Sequence, residues 1–179
     1  MRQPETYSFD DSGGGIPNSR LPVLVYRDVD GAHGATECVQ LFARNGWLGA
    51  WVNRIHPFQR LHSTAHEVLG IVGGSGAVMF GDPGGRRVEV ARGDVLVVPA
   101  GTGHGNAGPS SELLVVGAYP NGMEWDMRRG LPAERDEVLS NIAAVPLPHS
   151  DPVHGPEGPL TKIWRGRDVP TNSNSAVKA

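Results

Sequence analysis

Cys38 is the only cysteine in the 179 residues of the chain, which excludes an intrachain disulfide framework and fits a reducing compartment. A strong charge of one sign is missing too. Against 19 acidic residues stand 16 lysines and arginines, for a formal net charge of -3, so the basic surface that nucleic acid requires is excluded and small molecules are the expected partners. No run approaches the roughly 20 apolar residues of a membrane-spanning helix. Met1 to Asp10 holds no apolar stretch of the signal-peptide kind, and the expectation is a cytoplasmic protein without membrane or nucleic-acid contacts. Internal repeats and low-complexity blocks are also absent. What the chain has in quantity is glycine and proline, 25 and 15 residues, set between short apolar runs over a length that suits one domain with a sizeable core.

Residues 1–22 end in a Gly- and Pro-rich stretch from Asp11 to Pro22 that reads as an extended arm. Val23 to Tyr26 follows as a short edge strand. Between Thr36 and Gly46, Cys38, Val39 and Phe42 recur at helical spacing and Asn45-Gly46 makes a C-terminal cap, predicting one short helix. Trp47 to Ile55 alternates as a strand. Further strands are expected over Glu67–Val72, Ala77–Phe80, Val88–Val90, Asp94–Val98 and Leu113–Tyr119, with glycine turns between them. Such a series indicates an all-β antiparallel sandwich or barrel over 23–120. In 121–165 a helix is expected over Glu134–Ala144, where Val138 and Ile142 share a side, followed by a strap with five prolines from Pro146 to Pro159. Residues 166–179 are expected to be a mobile tail.

Two turns at strand ends carry the chemistry-bearing side chains. If Phe58 to His62 is extended, Arg60 and His62 share a face, and resumption at Glu67 lets His62 and Glu67 converge. By the same alternation His66 turns away unless a bulge re-aims it to stand behind them. In the second turn, Pro99 ends a strand and Gly101 and Gly103 allow His104 to project inward. His56, His149 and His154 read as loop residues, the last two able to reach a pocket only if the strap covers it. Ser63 and Thr64 show no arrangement for covalent catalysis, and Gly73-Gly74-Ser75-Gly76 lacks the lysine of a phosphate loop.

These turns resemble the two motifs of the cupin superfamily. His62, Glu67 and Gly74 match the later part of the first, and Gly93, Pro99, Gly101 and His104 match the second, with Asn106 two residues ahead of its final asparagine. Val116 to Asp126 is similar to the YjlB-like branch of small bacterial cupins, and the likeness extends from about Leu21 to Trp164. It implies a double-stranded β-helix or jelly-roll barrel with a few short helices, often paired as a homodimer, for which an apolar outer face at Val68 and Val72 is the supporting sign.

At the first metal-binding histidine of the family pattern this chain has Arg60, which offers only donors and cannot bind a cation. The resemblance therefore implies a reduced ligand set of His62, Glu67 and His104 for a divalent transition metal (Fe, Mn, Zn or Ni). Glu67 and Arg60 would be catalytic residues, and Asn106 and His66 hydrogen-bonding groups behind the ligands. Two readings stay open. In one, a metal sits beside Arg60, which clamps the carboxylate or phosphate of a substrate in an oxygenase- or isomerase-type reaction. In the other the guanidinium replaces the ion, pairs with Glu67 and makes a metal-free anion pocket of a binding or sensor protein.

Overall fold

The computed structural model describes residues 2–108 and 113–167. Among the described residues nine strands form a six-stranded sheet of order β1-β2-β7-β4-β9-β3 and a three-stranded sheet of order β6-β5-β8, all pairs antiparallel. Their ranges are β1 Glu5–Tyr7, β2 Val23–Tyr26, β3 Trp47–Arg54, β4 Glu67–Gly73, β5 Ser75–Phe80, β6 Arg86–Ala91, β7 Val95–Val98, β8 His104–Asn106 and β9 Leu114–Pro120. The two sheets face each other across Val25, Leu69, Ile71, Leu96 and Val115 on one side and Val78, Phe80, Val88 and Val90 on the other. This is the jelly-roll arrangement of a small β-barrel.

The middle of the six-stranded sheet is covered on both faces, which explains why β4 after Glu67, β7 and β9 read as apolar runs while β6 alternates buried with exposed, and β3 at the sheet's edge is largely exposed. On its outer face lies helix α1, Ala35–Arg44, through Cys38, Leu41 and Phe42. Gly70 makes this approach possible, since a Cβ there would stand 2.3 Å from the Cys38 sulfur. The helix ends as its sequence indicated, with Gly46 at φ 79° and its N–H donating to the Ala43 carbonyl at 3.0 Å. Burial pushes the Cys38 thiol up to about 12, because a thiolate has no favourable place in apolar surroundings. Native protein should therefore not react with Ellman's reagent at neutral pH, and should release a full equivalent of colour in guanidinium. Rapid reaction of the native form would show that α1 does not cover the sheet.

Several expectations are corrected. Val23–Tyr26 is an inner strand, because Glu5–Tyr7 of the arm pairs along its outer edge. The expected helix over Glu134–Ala144 begins with a helical turn at Pro132–Glu134 and continues as α2, Arg135–Ala144. The strap ends in a third helix, α3, Pro159–Arg167, so residues 166 and 167 are helical and not tail, and 168–179 lie outside the described residues. Val68 and Val72 are not an open face: α1, together with Leu160 and Trp164 of α3, packs against them inside one chain, which removes the sign taken for a homodimer. Trp47 Nε1 donates to the Ser150 carbonyl at 2.9 Å and Asn45 Nδ2 to Pro152 at 2.8 Å, holding the strap beside α1 and the start of β3. Among the described residues no helix is long and apolar enough to cross a membrane.

Candidate metal centre

Glu67 is the first residue of β4, and its inward side chain begins the row continued by Leu69 and Ile71. The segment before it is stitched between two others: Arg60 exchanges backbone hydrogen bonds with His104 at 3.0 and 2.8 Å, and Leu61 with Arg128 at 3.0 and 2.9 Å. Side-chain alternation then sends Leu61 outward to Ile16 and Val138, while Arg60 and His62 turn into a cavity of about 200 Å³ shared with Glu67. The turn after His62 is held by Asp126. Its carboxylate accepts from the Ser63 N–H at 2.6 Å, the Ser63 hydroxyl at 2.5 Å, the Thr64 N–H at 3.2 Å and Arg128 Nε at 2.8 Å.

His62, Glu67 and His104 each present one ligand atom within 4.8 Å of the others, and all three are buried. Glu67 Oε2 lies 3.1 Å from His104 Nε2 and 3.3 Å from His62 Nε2. The proton positions follow from the partners. His62 Nδ1 meets the Asp126 carbonyl and His104 Nδ1 the Thr102 carbonyl at 3.1 Å, and a carbonyl can only accept, so each Nδ1 carries the hydrogen. In neutral imidazoles both Nε2 atoms are then lone pairs facing a carboxylate oxygen, and His62 Nε2 is buried with no hydrogen-bond partner. Three acceptors converging without a donor is the arrangement that a cation completes, with the tautomers set by carbonyls behind the rings.

Burial raises the Glu67 carboxyl, but with His62 and His104 as charged imidazoliums that donate to it from Nε2 the balance lies well below the usual carboxylate range. His62 is opposed by burial and raised on balance by Glu67; His104 is lowered by burial and by the charge of Arg60. Arg60 is 2% exposed, and its Nε and Nη1 have no hydrogen-bond partner. Burial draws the guanidinium below its ordinary value while Glu67 opposes the shift. Among the described residues it forms no ion pair with Glu67, whose Oε1 accepts instead from the Tyr119 hydroxyl at 3.0 Å. The pairing on which the metal-free reading rested is thus not made.

His66 and Asn106 do not line this cavity. His66 accepts the Ala100 N–H at 2.9 Å on Nδ1 and lies against Trp164, as strand alternation indicated, and burial lowers it to about 4. Asn106 Oδ1 accepts from the Gly108 N–H at 3.0 Å, closing the turn after β8. His149 is absent from the cavity lining, and His154 rests against Tyr26 on the far face of the sheet. His56, which its proline-rich surroundings assigned to a loop, does line the cavity. So do Trp51 and Trp125, the rings that sequence could not single out. Asp126 was missed as an organiser; a carboxylate following an aromatic in the stretch that resembles the family was the one available signal.

Residues 59–126 match the family profile described as Cupin. Over 164 residues the chain is 37% identical to the uncharacterized protein YjlB of Bacillus subtilis, covering 91% of this chain and 98% of that one. Among solved structures, an acireductone dioxygenase from Bacillus anthracis with a cadmium ion in its active centre is similar at a TM-score of 0.36 and 21% identity, over 48% of this chain and 58% of that chain. Vicilin from hazelnut, Corylus avellana, is similar at 0.35 and 17%, over 64% and 33%. At such scores neither structure carries weight for activity.

Proposed function

Because the chain belongs to the cupins, as a YjlB-like member, we propose that it is a metal-dependent enzyme of oxygenase or isomerase type, acting on a small anionic molecule in the barrel cavity. The observation that carries this reading is the convergence of the His62 and His104 Nε2 atoms on Glu67 Oε2 beside a buried guanidinium with partnerless N–H groups. Two imidazoles and one carboxylate are a ligand set for Fe, Mn, Zn or Ni that leaves positions open to a substrate. His62, Glu67 and His104 would hold a divalent ion, and the chemistry it would supply is Lewis acidity.

The other steps belong to the chain's own side chains. Arg60 binds and orients the carboxylate or phosphate of the substrate and stabilises negative charge that develops next to it, an effect strengthened by exclusion of water. Trp51, Tyr119 and Trp125 wall the cavity, and His56 lies on the same lining. A cavity of about 200 Å³ suits a small molecule.

The test uses zinc-loaded protein titrated with acetate, oxalate and inorganic phosphate while its melting temperature is followed. At an anion concentration roughly 100-fold above Kd the wild type should gain about 5–10 °C. Arg60→Met should keep the zinc and lose the gain. It should also be no less stable than wild type without anion, since methionine fills the space without burying unsatisfied donors. An anion response that survives in Arg60→Met, or none in the wild type, would overturn the proposal.

A further inference from the structure

On the reading that His62, Glu67 and His104 hold a divalent ion, we infer that Tyr119, backed by Trp51, is a positioning residue that leaves Glu67 a single oxygen, Oε2, to offer the ion. An indole N–H can only donate, and Trp51 Nε1 gives its hydrogen to the Tyr119 hydroxyl oxygen at 2.8 Å. The tyrosine has one hydrogen, and it goes to Glu67 Oε1 at 3.0 Å. The direction of the chain is therefore set from Trp51 through Tyr119 to Glu67. Oε1 is engaged by the tyrosine, and Oε2 is the carboxylate oxygen nearest to both imidazoles, at 3.3 Å from His62 Nε2 and 3.1 Å from His104 Nε2.

The fold places these three groups in a row. Strand β9 lies between β4 and β3, and its pairing of Val68 with Ala118 sets Tyr119 beside Glu67. On the other side the register of β3 shifts between Leu48 and Trp51, with Gly49 at φ 68° in the irregularity, a conformation glycine adopts readily. The shift lays Trp51 over Gly117, where a Cβ would stand 2.2 Å from the indole. Trp125 stacks on the Tyr119 ring at 5.6 Å and 19°. A bulge, a bare glycine and a stacked ring all serve to fix one hydroxyl. The consequence is that Glu67 would offer an ion Oε2 in preference to both oxygens, keeping a place for substrate.

Co(II) titrations of wild type, Tyr119→Phe and Trp51→Phe, read by visible absorption, test this. Tyr119→Phe should bind Co(II) about 10-fold more weakly and change the intensity of the d–d bands, because the freed Oε1 alters the coordination number. Trp51→Phe should move both readouts the same way by less, and it carries the test if Tyr119→Phe does not fold. A merely structural tyrosine would lower the melting temperature and leave the spectrum alone. Wild-type affinity and spectrum in the variants would overturn the inference while the metal reading stands; a wild type that takes up no Co(II) would overturn both.

Discussion

Replacing His104 with alanine should abolish the proposed metal binding, lowering affinity for zinc or iron on the order of 100-fold or more, beyond the loss seen when only a supporting partner of a ligand is removed. One of three converging atoms disappears, and the two that remain cannot shift to compensate: His62 is tied to the Asp126 carbonyl and Glu67 to Tyr119. His104 is 1% exposed, so truncation also leaves a cavity. His104→Gln, which keeps most of the volume, separates lost ligation from lost packing. Elemental analysis of protein purified without added metal, with a competitive chelator titration, gives the readout. A variant that retains stoichiometric metal at wild-type affinity would remove His104 from the site and with it the proposed chemistry.

Asp151→Ala should be the most destabilising single change outside the cavity, at about 3–5 kcal/mol. The side chain is fully buried and accepts from the Tyr26 hydroxyl at 2.5 Å and from the N–H groups of Val153, His154 and Leu160 at 2.8, 3.0 and 3.0 Å. One carboxylate thereby joins β2, the turn of the strap and the first turn of α3. Burial beside Asp151 pushes the Tyr26 hydroxyl up, so it remains a donor. Alanine would leave four donors without their acceptor, those of Tyr26 and Leu160 on buried residues and those of Val153 and His154 on half-buried ones, and typical domains are stable by only about 5–15 kcal/mol. Urea denaturation measures the effect, with Asp151→Asn expected to cost less because it keeps an acceptor oxygen. Zinc affinity should not change, as Asp151 lies on the outer side of the six-stranded sheet. A loss below about 1 kcal/mol would mean that the buried bonds are not formed in solution.

Local signals in the sequence carried well where pattern and environment agreed. The helix over Thr36–Gly46, the strands over Trp47–Ile55 and Glu67–Val72 and the inward projection of His104 each follow from neighbours in the chain, and the structure has α1 at Ala35–Arg44 and strands at Trp47–Arg54 and Glu67–Gly73. The misses share a cause. β1 and β8 are three residues long, too short for periodicity, and exist because a partner strand supplies their hydrogen bonds. α3 starts at Pro159, where the proline count argued for loop alone, although proline suits a first helical turn. Val68 and Val72 looked free because nothing in their own strand tells that α1 and α3 will cover them.

The sequence by itself determined the candidate ligand types, their spacing at two strand ends and the arginine at the position where the family pattern has a histidine. These depend on side-chain chemistry and on the two-residue period of a strand, and both are local. Only the tertiary structure decided which way the protons lie. The carbonyl that sets the His62 tautomer comes from 64 residues along the chain, and the hydroxyl that holds Glu67 from 52. A hydrogen bond has direction and a reach of about 3 Å, so partners this distant in sequence become definite only once the strands have paired.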